Sequence, residues 1–144
     1  MKKFVLVPDS FKGTMTSAQV CASMEAGIRR VLPQAQVVSL PVADGGEGSV
    51  EAFLAAAGGE RRTRTVTGPF GEPVEAFYGI LGDGRTAVIE MAACAGLPLA
   101  EGRLNPERAT TYGVGELILA AIRDGARRII LGLGGSATND GGCG

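Results

Sequence analysis

The chain has 144 residues and a mass of 14.7 kDa, enough for one domain that buries roughly two-thirds of the surface its unfolded form exposes. A formal net charge of -1, a pI near 5.5 and 20% charged residues of both signs give no electrostatic footprint for nucleic acid or an anionic membrane, so a small molecule is the expected partner. Histidine is absent, which removes Ser-His-Asp and Cys-His catalysis and histidine metal sites and leaves carboxylates, lysine, hydroxyls and backbone dipoles.

The first element is a strand, "KFVLVP", read as buried on both faces; its apolar run ends at Pro8 and Asp9, too soon for a signal peptide. "TSAQVCASMEAGIRRVLP" follows, with Val20, Met24, Ile28 and Val31 at helical spacing, Thr16 or Ser17 as N-cap and Pro33 as terminator. A second strand, "QVVSLPV", leads into "ADGGEGSVEAFLAAAGG", a glycine turn and a short helix stopped by Gly58 and Gly59. This is the start of a Rossmann-like parallel sheet.

The rhythm then changes. "RRTRTVTG", "EPVEAFYGIL" and "RTAVIEMA" are β-rich and separated only by "GPFGE" and "GDG", turns short enough for antiparallel hairpins. The charged "ERRTR" run suits an exposed sheet edge. After a loop-rich "CAGLPLAEGRLNPER", a helix runs from a Thr110 or Thr111 cap to Gly125, and "RRIILGLGG" is a further buried strand. The expected class is α/β: residues 1–59 begin a Rossmann-like lobe and residues 60–144 begin a second, mixed-sheet lobe that is incomplete. Cys21, Cys94 and Cys143, an odd set without C-x-x-C spacing, suit reduced thiols in a cytoplasmic protein.

Three strand-end segments carry the chemistry, because in open α/β sheets ligands collect outside the carboxyl ends of the strands. "PDSFKGTMTS" offers Asp9, Ser10 and Lys12, although it also reads as an ordinary strand-to-helix connection. "PVADGGEGS" sets Asp44 and Glu47 around Gly45 and Gly46, which permit close backbone approach, against the plainer reading of a solvated acidic turn. "GLGGSATNDGGCG" places Ser136, Thr138, Asn139 and Asp140 between glycine pairs that include Gly134 and Gly135. Such a loop suits phosphate: glycine N–H groups and two hydroxyls donate, and Asp140 holds a bridging Mg²⁺. It is not a Walker A loop, since no G-x-x-x-x-G-K-[ST] occurs. Gly132, Gly134 and Ala137 do satisfy G-x-G-x-x-[GA] after a strand, so a dinucleotide site is the alternative. Glu90, at the end of a β-run, reads first as a solvated or paired charge and second as a group facing a cleft.

"DSFKGTMTSAQ", "PVADGGEGS", "TTYGVGELI" and "GLGGSATNDGG", in this order, resemble the bacterial type I glycerate kinase family, as do "GPFGEPVEAFYGIL" and "AVIEMAACAGL". The resemblance spans nearly the whole chain but only the N-terminal part of such proteins, well under half. It implies transfer of a phosphoryl group from ATP to a hydroxyl of D-glycerate, typically giving 2-phosphoglycerate, with Mg²⁺, in a cleft between two α/β lobes. On that reading Lys12 neutralises a substrate carboxylate or the transferring phosphate. Asp44 orients or deprotonates the glycerate hydroxyl, with Glu47 as runner-up. Asp140 and Asn139 sit near Mg²⁺ or substrate, Ser136 and Thr138 on phosphate oxygens, and Ser10, Gly45, Gly46, Gly134 and Gly135 around the nucleotide. The match in length implies a fragment or truncated product, expected to lack activity alone and to be prone to associate through uncovered strands. A dinucleotide-binding oxidoreductase or binding module, and a non-catalytic remnant, are the rival functions.

Overall fold

A computed structural model describes residues 2–144, which form two compact units, one ending at Asp44 and one running Gly45–Gly144. The first is a β-α-β unit. Strands β1 (Lys3–Leu6) and β2 (Gln36–Ser39) pair in parallel, Lys3 opposite Gln36 and Leu6 opposite Ser39, and helix α1 (Ser17–Val31) makes the crossover. Thr16 is the N-cap in a full capping box: its hydroxyl accepts from Gln19 N–H, while Gln19 Oε1 accepts from Thr16 N–H at 2.8 Å. Buried Ser17 adds a cross-brace, its hydroxyl donating to Pro8 O at 2.7 Å and accepting from Val42 N–H at 3.1 Å. One side chain thereby ties both strand exits to the start of the helix.

Two expectations for this unit need correction. Strand β1 is not buried on both faces, since Val5 and Val7 are about half exposed. The apolar stripe of α1 is buried only at its beginning, at Ser17, Val20 and Cys21, while Met24 and Val31 are exposed. The physical reason is the width of the sheet: two strands cover only the first turns of a helix of this length. Phe4, Met24, Gly27, Ile28, Val31 and Leu32 instead line an open apolar groove of about 420 Å³.

The second unit is built on a four-stranded mixed sheet in the order β3-β4-β5-β6, from β3 (Gly59–Thr67), β4 (Pro73–Leu81), β5 (Thr86–Glu90) and β6 (Arg128–Gly132). The first three strands are antiparallel neighbours, as the short turns imply, and β6 returns parallel to β5 with Thr86 opposite Arg128 and Glu90 opposite Gly132. Helix α2 (Ser49–Ala57) packs on one face of β4 and β5. The short α3 (Ala92–Ala95), which straddles the end of the β-rich segment and the start of the stretch read as loop, and α4 (Tyr112–Arg123) cover the other. The compact units divide after Asp44, whereas the lobe boundary expected near Gly59 and Glu60 falls at the first residues of β3; the packing of α2 on β4 and β5 is the reason. Strand β6 is half-buried rather than fully enclosed, its burial interrupted at Arg128.

Strand β5 lies between the two helical layers, and all five of its residues are buried. Ala87 and Ile89 join Tyr78, Leu117 and Ala121 in the main core on the α4 side. On the charged edge strand β3, Arg62 and Arg64 both pair with Asp124, at 2.9 and 2.8 Å, and Tyr78 donates its hydroxyl to the same carboxylate at 2.5 Å. The Tyr78 hydroxyl, desolvated and bonded to Asp124, has its pKa pushed up to about 12. Helix α4 ends with Asp124 as C-cap, followed by Gly125 at φ 102°, the left-handed position a glycine fills.

Leu117 is fully buried at the centre of the core, so Leu117→Ala should destabilise the second unit by about 2–5 kcal/mol. Val31→Ala, at a side chain 79% exposed, should change stability by less than about 0.5 kcal/mol. Urea denaturation of the two variants checks the contrast.

Candidate functional site

In the first unit the loop after β1 folds back on itself. Phe11 and Met15 exchange backbone hydrogen bonds at 2.9 and 3.0 Å, and Gly13, at φ 72°, makes the turn between them. Lys12 stands at the tip of that turn, and its ammonium lies 3.9 Å from the carboxylate of Asp44, the last residue of the unit. Both side chains are more than half exposed, so the pair contributes little to stability, and its significance is that two strand-exit loops bring a cation and an anion together. Ser10 is half-buried beside Asp9, whose carboxylate accepts from Ser10 N–H at 2.7 Å.

In the second unit the two glycine segments meet backbone to backbone. Gly134 N–H donates to Gly45 O at 2.9 Å. A Cβ on Gly132 would collide with Gly45 O, and one on Gly134 would lie 2.6 Å from Gly46 N. This contact explains the paired glycines better than conformational freedom alone, because the two chains approach closer than any side chain permits. Ser49 then turns residues 46–49 into α2, its hydroxyl donating to Gly46 O at 2.8 Å. Glu47 is exposed at the tip.

The segment after β6 is held on its other side by the stretch around α3. Leu97 N–H donates to Gly135 O at 2.9 Å and Ala137 N–H donates to Ala95 O at 2.8 Å. Ser136 and Thr138 share a hydroxyl–hydroxyl bond of 2.9 Å, and Thr138 N–H donates to Ser136 Oγ. Among the described residues the N–H groups of Gly135, Ser136 and Asn139 have no protein acceptor. Residues 133–144 form no helix.

Asp140 turns towards α4. Its Oδ2 accepts from Thr111 N–H at 2.7 Å and Thr111 Oγ1 at 2.9 Å, and its Oδ1 accepts from Gly142 N–H at 3.1 Å. Partial desolvation pulls its pKa upward, but the bonds from Thr111 and Gly142 outweigh that and hold it below the ordinary aspartate value. Thr111 occupies the N-cap position as expected, yet its hydroxyl caps nothing in its own helix and serves Asp140 instead.

Three residues of this arrangement have contacts that the sequence does not give: Gly132 reads as the first glycine of G-x-G-x-x-[GA], Thr111 as a cap, and Glu90 first as a solvated or paired charge and second as a group facing a cleft, whereas Glu90 is only 2% exposed. Its Oε1 accepts from Val50 N–H, in the first turn of α2, at 2.6 Å. Burial pushes its pKa up to about 7; the Val50 and Gly48 N–H groups oppose that rise and the Glu51 and Glu47 carboxylates add to it. The signal that could have found it is the unbroken apolar run ahead of it, which marks a strand enclosed on both faces.

The model of the family described as "Glycerate kinase family" matches residues 4–144. The chain belongs to the glycerate kinase family. It is 56% identical over 144 residues to the glycerate 2-kinase of Escherichia coli (strain K12), covering 99% of this chain and 38% of that protein. It is 52% identical to the glycerate kinase of Bacillus subtilis (strain 168), covering 99% and 37%. A crystal structure from Salmonella typhimurium LT2, described as a glycerate kinase 2, superposes with a TM-score of 0.79 at 47% identity, covering 99% of this chain and 38% of that one. The chain thus spans well under half the length of the family members it matches.

The glycine contact yields a paired prediction. Gly134→Ala should cost about 1–3 kcal/mol, because the new methyl meets unyielding backbone at Gly46. Gly27→Ala, inside α1 with nothing near its added methyl, should stabilise by about 0.5–1 kcal/mol. Thermal or denaturant melts of the two variants distinguish a packed glycine from a permissive one.

Proposed function

We propose that this chain supplies the acceptor-side and part of the phosphate-side machinery of an ATP-dependent glycerate kinase that phosphorylates D-glycerate to 2-phosphoglycerate. Family membership across residues 4–144 carries the reading, and the residues at the strand ends give it a chemistry. Phosphoryl transfer asks a protein chiefly for positioning and charge neutralisation. A histidine-free set of lysine, carboxylates and backbone N–H groups meets that demand.

Asp44 receives or orients the proton of the attacking glycerate hydroxyl as the bond from oxygen to the γ-phosphorus forms and ADP leaves; Glu47 is the second candidate for the same task. Lys12, already drawn to Asp44, neutralises the substrate carboxylate or the transferring phosphoryl group. The N–H groups of Gly135, Ser136 and Asn139 and the hydroxyls of Ser136 and Thr138 serve phosphate oxygens, with the backbone of Gly45, Gly46 and Gly134 shaping the surroundings. Free thiols at Cys21, Cys94 and Cys143 accord with a reducing, cytoplasmic setting.

Mg²⁺, which neutralises phosphate charge in such reactions, is compatible with these residues in one form only. Among the described residues no three carboxylates, cysteines or histidines cluster as a metal cage. Asp140 is ionised, and its Oδ1 accepts a single hydrogen bond, so it suits an ion held mainly by phosphates and water. Asn139 is exposed beside it.

The test is a chimera in which these 144 residues replace their counterpart in the E. coli glycerate 2-kinase. It should release ADP in a D-glycerate-dependent manner, with phosphorus NMR placing the phosphate on the 2-hydroxyl. The 144 residues alone should show no turnover, since loss of the proximity term is worth roughly 7–11 kcal/mol. Within the chimera, Asp44→Asn should lower kcat by about 10²–10⁴-fold with the fold intact. Lys12→Met should raise KM for the anionic ligand and lower kcat as well. A folded chimera without turnover would contradict the assignment.

A further inference from the structure

We propose that Glu90 is a positioning residue: from the end of β5 its buried carboxylate holds the first turn of α2, and thereby sets the course of residues 45–49 and the presentation of Glu47. For the kinase reaction this rests on the function proposed above, but the structural role stands on its own geometry. Helix α2 starts at Gly48, in the left-handed conformation, with no side-chain cap of its own. In its first turn Ser49 and Val50 are buried; Ser49 gives its N–H to Gly46 O at 3.3 Å, and the Val50 N–H, out of reach of water, needs an acceptor from elsewhere. Val50, wholly buried, gives its N–H to Glu90 Oε1 at 2.6 Å, forty residues along the chain. A carboxylate from a neighbouring strand therefore does the work that an aspartate or serine N-cap does in other helices. Gly45 is fixed to Gly134 at the start of the segment, and Glu90 fixes the end. Between those two anchors the backbone that carries Glu47 is held in place.

The anchor also responds to pH. Glu51, on α2, and Glu47, on the loop before it, both face Glu90 with negative charge, and Glu51 is itself paired with Arg61 at 3.4 Å. Among the described residues no lysine or arginine pairs with Glu90. Desolvation therefore dominates and carries its pKa from the ordinary 4.5 to about 7. The native state holds this proton where the unfolded state has released it, so the associated stability is complete below pH 4.5 and is lost as pH rises through about 7. No histidine, the usual titrating group of this range, competes with it in the chain.

Three proteins test the proposal: the 144-residue chain, Glu90→Gln, which keeps an acceptor oxygen without charge, and Glu90→Leu, which fills space without an acceptor. Amide exchange at Val50 should remain slow in the parent and in Glu90→Gln and accelerate at least tenfold in Glu90→Leu, with residues 46–49 following. Parent stability should fall between pH 5 and 8, and that slope should vanish in Glu90→Gln. In the chimera, Glu90→Leu should lower kcat about tenfold or more with KM changed less than threefold, and Glu90→Gln should restore most of the loss. Equal Val50 exchange in all three proteins would overturn the proposal, as would a pH slope that persists in Glu90→Gln. If Glu90→Leu fails to fold, the pH slope of Glu90→Gln decides. An inactive parent chimera would refute the kinase reading alone, because exchange and titration are read without turnover.

Discussion

The second unit depends on a place where two backbones touch without side chains between them. The carbonyl of Gly45 lies against Gly132 and accepts the Gly134 N–H, and Gly46 lies against Gly134. A hydrogen bond between loop amides is worth only about 1 kcal/mol net. Its geometric consequence is larger, because it aligns the chain entering α2 with the chain leaving β6. The α3 stretch completes the arrangement through the bonds of Ala95 and Leu97 to Ala137 and Gly135. The glycine-rich segment is thereby a packed part of the unit.

Burial of the second unit's sheet has its own energetic cost at Glu90. A carboxylate at the end of a strand buried on both faces loses its water, and only backbone N–H groups at the start of α2 compensate. The outcome is a carboxyl whose ionisation falls near neutrality, in a chain with no histidine to do so. Asp140 and Asp124 show the opposite balance. Each is less deeply placed and gathers donors, Thr111 and Gly142 for one and Tyr78, Arg62 and Arg64 for the other, so each stays ionised.

Much of this was legible in the amino acids. Short glycine turns between β-rich segments announce the antiparallel β3, β4 and β5, Thr16, one of the two N-caps offered, starts α1, and the glycines at 58 and 125 close their helices. Chain pattern is local, and what it misses is set by tertiary partners. Met24 and Val31 have helical spacing, but among the described residues their sheet has only two strands, so they are exposed. Thr111 has the chemistry of a cap, yet Asp140, twenty-nine positions away, takes its hydroxyl. Glu90 resembles any strand-end charge until α2 is placed over it. The strand-end segments were visible as chemistry; that Lys12 and Asp44 pair, and that Gly45 meets Gly132 and Gly134, required the fold.

The central claim is that the two glycine segments form one packed structure, and the Gly134 amide reports on it most directly. Native-state hydrogen exchange in the 144-residue chain should show this N–H protected to the same degree as the amides of Tyr78 and Ile89 in the sheet, released only by global unfolding. Exchange of the Gly134 amide at the rate of an unstructured loop, while Tyr78 and Ile89 remain protected, would contradict the account.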